Sequence, residues 1–406
     1  MIDTDSKKIE EILSRSVEKI YPDKKTLEKK LLSGNKIKLY CGYDPSGPTL
    51  HLGHMISLKK LGQFQRLGHE VVMLIGDFTG MIGDPTNKLA TRKKLTREEV
   101  LKNSANYKKT ASKFLDFSGP NPAKIIYNSQ WLDNLTFRDL IEIASNFTVQ
   151  QMIIREMFQK RLEDKKPIYL HEFLYPLAQA YDSIAMDVDL EIGGADQIFN
   201  MLCGRDLMKT LKNKEKFVLA LKLLTDPSGK KMGKTEGNMV NLDEEESGQM
   251  FGKIMSWPDE LIIPGLELLT NVDIGEIEKY AKEIKEGKTN PKEIKTKLAK
   301  EVVSVCYNKE TAQKAEEEFN KAFKEKEFPP DAVIIRIPAG NVPIIDTVTG
   351  ATGDSKSEAR RLMEQGAVDI DGEVQKDWRK KIDIKKGEEK RYRIGKKIFK
   401  RIIGKE

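Results

Sequence analysis

Short apolar runs separated by glycine-rich loops organise the amino-terminal half of the chain. Ile37–Cys41 and Val71–Ile75 have the length and composition of buried strands. A helical pattern runs from Leu50 to Gly68 between them, and residues 1–35 carry apolar side chains at helical spacing. A strand, a loop, a helix and a second strand at this spacing predict a βαβ unit, and therefore a parallel sheet.

The pattern changes along the middle of the chain. Residues 96–179 are mainly helical, whereas Leu190–Gly194 and Phe217–Leu224 are apolar and typical of strands. A loop rich in glycine and lysine follows, and residues 244–327 have the pattern of charged helices. Ligands of parallel sheets lie outside the carboxyl ends of the strands. The glycine-rich loops after the first two strands are therefore predicted to face one pocket.

The carboxyl-terminal part has a different character. Pro329-Pro330 predicts a linker, and a β-like stretch from Val333 to Ile344 follows it. Ser355–Gln365 predicts a short basic helix, and Ala367–Gln375 predicts a hairpin with an Asp-Gly turn. Residues 376–406 hold 14 Lys and Arg against 5 Asp and Glu, whereas the whole chain carries a net charge of only +7. A basic end of this kind indicates binding of a polyanion, although a solvated surface has the same composition.

Composition narrows the class of protein. A chain of 406 residues predicts two to three domains, and 39% hydrophobic residues suffice for packed cores. No apolar run approaches the ~18 residues of a membrane span, and residues 1–11 are too polar for a signal peptide. The three cysteines are far apart and form no CxxC pair, which argues against disulfides or cysteine-bound zinc: Cys41, Cys203 and Cys306. We expect a cytoplasmic protein that binds no membrane.

Two short motifs carry candidate chemistry. His51-Leu52-Gly53-His54 stands at the start of a predicted helix, where free backbone N–H groups suit a phosphate. Lys231 and Lys234 lie three apart in the segment KKMGKT, and lysines so spaced in a glycine-containing loop can clamp a pyrophosphate. Each motif alone has an ordinary alternative, a histidine-capped helix or a solvated turn. Their joint occurrence in this order is much more specific.

These motifs resemble those of class I aminoacyl-tRNA synthetases, and the sequence is most similar to bacterial tyrosyl-tRNA synthetases. HLGH and KMGKT resemble the HIGH and KMSKS motifs of that class, with Gly233 in place of the first serine. Further similar segments follow in chain order: Tyr40–His54, Gly76–Lys88, His171–Asp182 and Glu191–Gln197. Residues 354–373 are similar to the alpha-L RNA-binding motif appended to these enzymes. The resemblance therefore spans nearly the whole chain.

The resemblance implies an α/β fold. It places a Rossmann-like parallel-sheet catalytic domain at residues 1–225, with a mainly helical insertion near 115–180. A mobile KMSKS-type loop at 226–243 and a helical anticodon-side domain at 244–328 follow. A small α+β RNA-binding domain of the alpha-L type is expected at 331–406.

The resemblance also assigns a tyrosine-binding site. Tyr40 and Asp182 match the residues that hydrogen-bond the substrate phenol. A buried pair of this kind would reject phenylalanine, because its polar groups would be left unpaired. Asp84, Tyr175 and Gln179 match the residues around the ammonium group, and Gln197 matches one near the carboxylate. Tyr175, Gln179 and Asp182 follow the i, i+4, i+7 spacing, so one helix face can present all three.

The remaining site residues are implied in the same way. His51, His54, Lys231, Lys234 and Thr235 match the catalytic groups. The ATP-binding matches are Cys41, Gly42, Asp44, Ser46, Gly53, Lys88, Arg92, Gly193, Gly194, Asp196, Lys231 and Lys234. The residues expected to bind RNA are Lys356, Arg360, Arg361, Arg379, Lys380 and Lys381.

The implied reaction is activation of L-tyrosine with Mg-ATP to tyrosyl-adenylate and pyrophosphate, followed by transfer to the 3′-terminal adenosine of tRNA(Tyr). No tightly bound cofactor or structural metal is expected. The resemblance also implies a homodimer, formed through helices near 125–165. A tryptophanyl-tRNA synthetase, an adenylyltransferase that does not use tRNA and an inactive synthetase-like RNA-binding protein are the alternatives. The phenol pair argues against the tryptophanyl-tRNA synthetase. The lysine motif and the RNA-binding tail argue against the adenylyltransferase. The intact HLGH motif and the KMGKT lysines argue against the inactive protein.

Overall fold

The computed structural model describes residues 2–86, 95–225, 239–243, 247–324, 332–395 and 398–405. The chain divides into two compact units, Met1–Glu316 and Glu317–Glu406. No helix in these described ranges is both long enough and apolar enough to cross a membrane.

A six-stranded sheet forms the centre of the first unit, with strand order β1-β6-β5-β2-β3-β4. Its strands are β1 (Val17–Tyr21), β2 (Lys38–Tyr43), β3 (Glu70–Ile75), β4 (Lys124–Tyr127), β5 (Leu190–Gly194) and β6 (Phe217–Leu221). All neighbouring pairs are parallel except β1 with β6. The parallel sheet predicted from the βαβ pattern is therefore present.

The apolar runs form strands because helices cover both faces of the sheet. Four of the five residues of β5 and all five of β6 are buried, which matches their continuous apolar sequences. Tyr40 on β2 pairs in register with Val72 on β3 and with Glu191 on β5. The carboxyl ends of these three strands consequently lie side by side and define one end of the sheet.

Seventeen helices are described in or beginning in the first unit. Before β5 they are α1 (Ser6–Ser14), α2 (Lys24–Leu32), α3 (Leu52–Arg66), α4 (Thr79–Ile82), α5 (Arg97–Ser104), α6 (Tyr107–Ala111), α7 (Ser129–Leu132), α8 (Phe137–Ala144), α9 (Val149–Ile153), α10 (Glu156–Glu163) and α11 (Leu170–Met186). After β5 they are α12 (Ile198–Lys212), α13 (Ser247–Met255), α14 (Ile262–Leu269), α15 (Ile274–Lys285), α16 (Pro291–Cys306) and α17 (Lys309–Lys324). The last of these spans the boundary between the units.

Two short edge strands differ from the sequence expectation. Residues 17–21 were expected to continue a helical pattern but form β1, in which only Ile20 is buried. Lys124–Tyr127 lies in a stretch expected to be mainly helical but forms β4, which has no buried residue. Val17–Tyr21 (VEKIY) does not alternate strictly between apolar and polar residues, and Lys124–Tyr127 (KIIY) is too short to be distinguished from a helical segment by its pattern.

The second unit is a small α+β domain. Its strands are β7 (Val333–Pro338), β8 (Gly340–Pro343), β9 (Val368–Ile370), β10 (Glu373–Val374), β11 (Lys381–Ile384), β12 (Glu389–Ile394) and β13 (Ile398–Lys405). Five of them form a sheet in the order β10-β9-β12-β13-β7, and β11 pairs with β8. Two helices, α18 (Ile344–Thr352) and α19 (Lys356–Glu364), contribute Val348, Ala359 and Met363 to its apolar core.

The predicted hairpin and basic helix are both present in this unit. The turn between β9 and β10 holds Asp371 at φ 52° and Gly372 at φ 93°, the two positive values that an Asp-Gly hairpin turn requires. Ser355 caps α19 by accepting a hydrogen bond from the backbone of Glu358. The predicted fold class, a parallel-sheet α/β domain followed by helices and a small α+β domain, is confirmed. The four predicted ranges, 1–225, 226–243, 244–328 and 331–406, stay predictions.

Candidate active site

The phenol end of the predicted tyrosine site is buried at β2 and α11. Tyr40 is 1% exposed, and its hydroxyl lies 3.0 Å from Ser183 Oγ. Burial raises the pKa of Tyr40, and the nearby carboxylates of Glu191 and Asp182 raise it further. Tyr40 is therefore a neutral hydroxyl that both donates and accepts hydrogen bonds.

Asp182 supplies the second polar group of this end. Its carboxylate accepts hydrogen bonds from Trp131 Nε1 at 2.8 Å and from Asn128 Nδ2 at 3.3 Å. Asp182 is 2% exposed, and burial raises its pKa well above the usual value although both donors act in the opposite direction. The two donors orient the carboxylate and stabilise its charged form.

The predicted ammonium-binding residues converge from α11 and the Gly83–Thr86 turn. Tyr175 and Gln179 lie on α11 with Asp182, as their spacing predicts. The carboxylate of Asp84 accepts hydrogen bonds from Gln197 Nε2 at 2.7 Å and from the backbone N–H of Thr86 at 2.9 Å. Asp84 is thus both a turn-forming residue and a partner of the residue predicted to bind the substrate carboxylate.

Asp44 joins the predicted tyrosine and ATP sites. It follows β2 directly, and its carboxylate accepts hydrogen bonds from Tyr175 Oη at 2.8 Å and Thr79 Oγ1 at 2.6 Å. Gly42 is exposed near the end of β2, whereas the Cys41 thiol is buried and its pKa is raised by burial to about 12. Ser46 is exposed in the loop beyond Asp44.

The two histidines of HLGH form the amino terminus of α3. His51 Nδ1 accepts the backbone N–H of Gly53, and His54 Nδ1 accepts the backbone N–H of His51, each at 3.1 Å. Their ring centroids are 3.9 Å apart. Because Nδ1 of each ring is an acceptor, the hydrogen of each neutral ring is on Nε2. A Cβ on Gly53 would lie 2.8 Å from the His51 ring, so glycine makes room for that ring.

The segment that follows the lysine motif pairs with the start of α3. Leu52 donates its backbone N–H to Val240 O at 3.0 Å, and Leu242 donates to Leu50 O at 2.8 Å. This attaches residues 240–242 beside the two histidines. Lys88, Arg92, Lys231, Lys234 and Thr235 lie outside the described residues.

The end of β5 is a close-packed glycine turn. A Cβ on Gly193 would lie 2.9 Å from Met201 Sδ, and one on Gly194 would lie 2.8 Å from Leu223 Cδ2. A short 3-10 helix at Ala195–Gln197 then presents Asp196 and Gln197, both half-buried. The two glycines therefore make room for Met201 and Leu223, and the turn places Asp196 and Gln197 directly after the end of β5.

The residues predicted to bind RNA lie in the second unit. Arg360 on α19 and Arg379 after β10 both stack on Trp378, with Cζ atoms 4.9 and 4.6 Å from the ring centroid. Lys356 pairs with Asp346 at 2.7 Å, and Arg361 pairs with Glu358. Lys380 and Lys381 are exposed at the start of β11. The structure therefore brings together two predicted arginines through an aromatic side chain.

Comparison with protein families agrees with this geometry. Residues 32–324 match the family model described as tRNA synthetases class I (W and Y). The chain belongs to this family. The match covers the whole six-stranded sheet except β1, together with every site residue discussed above in the first unit.

Relatives of this class I synthetase share nearly its full length. It is 42% identical over 403 residues to the "Tyrosine--tRNA ligase" of Carboxydothermus hydrogenoformans, covering 97% of both chains. It is 42% identical over 396 residues to the enzyme of that name from Thermotoga maritima, again covering 97% of both. A mitochondrial tyrosyl-tRNA synthetase structure from Aspergillus nidulans has the same fold, with a TM-score of 0.64 at 20% identity over 78% of this chain and 94% of that one.

The sequence gives no direct signal for several residues that complete the synthetase pocket. Asn128 and Trp131 hold Asp182 but lie in none of the segments similar to the synthetase motifs, and Thr79, which holds Asp44, lies in such a segment without an assigned role. Ser183, Glu191 and Lys216 form a buried polar group behind the pocket. Glu191 and Lys216 stand out in the sequence only as charges beside apolar runs predicted to be strands.

Proposed function

We propose that the chain is a tyrosine–tRNA ligase, which activates L-tyrosine with ATP and transfers it to tRNA(Tyr). Its family covers enzymes for both tryptophan and tyrosine. The observation that carries the choice is the pair of buried hydrogen-bonding groups, Tyr40 on β2 and Asp182 on α11. The phenol hydroxyl of a tyrosine substrate can donate to the Asp182 carboxylate and accept from the Tyr40 hydroxyl, whereas an indole has no oxygen to fill this position.

Tyr40 and Asp182 also supply selection against phenylalanine. A bound phenylalanine would supply neither the donor that Asp182 can still accept nor the acceptor for the Tyr40 hydroxyl, so it would forgo two hydrogen bonds that tyrosine makes. At the other end of the substrate, Asp84, Tyr175 and Gln179 would accept hydrogen bonds from the ammonium group. The site would therefore fix tyrosine at both ends before reaction.

The proposed first step needs no nucleophile from the protein. A carboxylate oxygen of tyrosine attacks the α-phosphorus of ATP in line, and the bond to the β-phosphate oxygen breaks, releasing pyrophosphate. His51 and His54 would donate from Nε2 to phosphate oxygens, together with the amino-terminal N–H groups of α3. Lys231 and Lys234 would neutralise charge on the departing pyrophosphate and Thr235 would donate a hydrogen bond to it, with Mg²⁺ entering as part of the ATP complex. Catalysis then consists of positioning and charge stabilisation.

In the second step, a hydroxyl of the terminal ribose of tRNA attacks the carbonyl carbon of the adenylate, and AMP leaves. The second unit would hold the tRNA through phosphate contacts. Support comes from the excess of 14 basic over 5 acidic residues in 376–406 and from the Arg360–Trp378–Arg379 cluster. We also propose that the enzyme works in the cytoplasm, where its substrates ATP and tRNA are found.

We further propose that two chains form a homodimer through the helices between β4 and α11. Seven of the fourteen exposed large apolar side chains among the described residues fall within residues 137–170: Phe137, Ile141, Val149, Ile154, Leu162, Tyr169 and Leu170. An apolar concentration of this kind on a surface is typical of an interface with another chain.

Tyrosine-dependent exchange of pyrophosphate into ATP tests the proposed activation step. Tyrosine, tryptophan and phenylalanine are supplied in parallel to the purified chain with Mg-ATP. We expect exchange with tyrosine alone at comparable amino-acid concentrations. Exchange that prefers tryptophan would assign the chain to the other branch of its family. No exchange from folded protein that binds RNA would favour an inactive RNA-binding protein.

A further inference from the structure

A buried lysine lies behind the tyrosine pocket and touches nothing that the proposed reaction uses directly. Lys216 precedes β6, is 0% exposed, and forms an ion pair with Glu191 on β5, which is 2% exposed. Its ammonium also donates to Ser183 Oγ at 2.9 Å. Burial lowers the pKa of Lys216, while the Glu191 carboxylate opposes that shift. Burying two charges costs desolvation, and apolar side chains of similar size are often as stable, so stability alone does not account for the pair.

Glu191 connects the ion pair to the ammonium end of the pocket. Its Oε1 accepts a hydrogen bond from Gln179 Nε2 at 3.0 Å, while Oε2 faces Lys216. Because the amide nitrogen of Gln179 is engaged in this way, its carbonyl oxygen is the group presented to a ligand. An ammonium ion only donates hydrogen bonds, so this orientation of the amide is the one it requires.

Ser183 connects the ion pair to the phenol end. Its hydroxyl receives a hydrogen from Lys216 and lies 3.0 Å from the hydroxyl of Tyr40. Lys216 occupies one acceptor position of Ser183 Oγ, which limits the directions in which Ser183 can bond Tyr40. The buried ammonium group of Lys216 is therefore linked by hydrogen bonds to both ends of the tyrosine site.

Gly204 on α12 provides the space for this group. A Cβ at position 204 would lie 2.5 Å from Lys216 Nζ and 2.9 Å from Ser183 Oγ. Any larger residue would displace the ammonium group, the serine hydroxyl or both. Glycine at position 204 therefore leaves the space that the Lys216 ammonium group occupies.

We propose that Lys216, paired with Glu191 and accommodated by Gly204, is a positioning residue that orients Gln179 and Tyr40 for tyrosine binding. This inference rests on the proposed function, because it presumes that tyrosine is the ligand. Lys216 itself touches no substrate atom in this scheme. It acts through two hydrogen-bonded intermediaries, one for each end of the amino acid.

Two variants test the proposal without leaving one buried charge alone. Gly204→Ala displaces the ammonium group but keeps every charge. Lys216→Met with Glu191→Gln removes both charges together. Gly252→Ala is the matched control, since a Cβ there meets nothing within 4 Å and the residue also lies within a helix. Circular dichroism and thermal unfolding first compare the fold of all three with the wild type.

Equilibrium dialysis with labelled tyrosine and pyrophosphate exchange provide the readouts. For both test variants we expect the Kd and KM for tyrosine to rise about tenfold or more, with KM for ATP and kcat changed less than about threefold. The control should bind like the wild type.

The outcomes distinguish this proposal from the proposed function. Folded variants with unchanged tyrosine affinity would overturn the positioning role, and so would equal rises in KM for tyrosine and ATP. Failure of both variants to fold would assign the ion pair to stability alone and overturn it as well. Wild-type protein that binds no tyrosine would overturn the proposed function and this inference together.

Discussion

Removing one hydrogen bond to Asp182 is expected to weaken recognition of the tyrosine phenol selectively. Trp131→Phe retains an aromatic ring beside Tyr40, Val72 and Leu74, against which Trp131 packs. It deletes the indole N–H that Asp182 accepts at 2.8 Å. Asn128 remains as a second, longer donor at 3.3 Å. The substitution therefore changes the environment of one carboxylate with little change in packing.

The size of the effect follows from that geometry. A hydrogen bond to a charged group contributes about 1.5–3 kcal/mol, which corresponds to roughly a 10- to 100-fold change in an equilibrium constant. Because Trp131 is only half-buried and Asn128 still donates to Asp182, we expect an effect at the lower end of this energy range. We expect about a tenfold rise in KM for tyrosine. The already raised pKa of Asp182 should rise further, so the loss should be largest at the acidic end of the pH range.

Pyrophosphate exchange measured from pH 6 to 9 with varied tyrosine and varied ATP provides the assay. Trp257→Phe is the control, because Trp257 is buried and its Nε1 has no hydrogen-bond partner within the described part of the chain. KM for tyrosine should rise in Trp131→Phe and stay unchanged in Trp257→Phe. An unchanged KM for tyrosine, or an equal rise in KM for ATP, would refute the reasoning.

Four further predictions concern other parts of the chain. Lys231→Ala or Lys234→Ala should lower kcat for exchange by ~10²–10³ with little change in tyrosine affinity, and a large loss of tyrosine binding would contradict the role. His69 is fully buried and burial lowers its pKa to about 4. Between about pH 4 and 6.5 the His69 imidazole is therefore protonated in the unfolded chain but neutral in the folded chain. The free energy of unfolding should fall by about 3 kcal/mol as the pH falls through this window. In His69→Gln, the decrease in the free energy of unfolding between pH 6.5 and pH 4, measured by denaturant unfolding, should be smaller by this amount. Arg360→Ala with Arg379→Ala should weaken tRNA binding and reduce its salt dependence by about one unit of slope per lost phosphate contact, leaving exchange unaltered. Val149→Glu with Ile154→Glu should convert a dimer to a monomer in light scattering, whereas Leu32→Glu, on α2, should not.

The parallel strands could be predicted from sequence because they are buried on both faces. The apolar runs that form β3, β5 and β6 lie within the predicted strands. The Asp-Gly turn after β9 was equally visible, because positive φ values select particular residue types. In contrast, β1 and β4 lie at the two edges of the sheet, and their strand structure depends on partners that are distant in sequence.

The residues of the candidate site divide in the same way, into those that a sequence motif predicts and those that only tertiary contacts bring to the site. His51 could be proposed from the sequence because it lies in the HLGH motif, and Gln179 because the resemblance to tyrosyl-tRNA synthetases implies it. Trp131 and Lys216 reach the pocket only through tertiary contacts, 51 and 25 residues from the carboxylates that they meet. Periodicity within one segment carries no information about such pairs. The buried charge of Lys216 was detectable only as an unexplained lysine beside an apolar strand.

Charging of purified tRNA(Tyr) with labelled tyrosine tests the central claim most directly. The account predicts that the chain forms an ester of tyrosine with the 3′-terminal adenosine, dependent on ATP, and that tRNA(Trp) with tryptophan gives none. Esterification of tryptophan to tRNA(Trp) in preference to tyrosine would contradict the account. Exchange with tyrosine but no transfer to tRNA(Tyr) would contradict its second step.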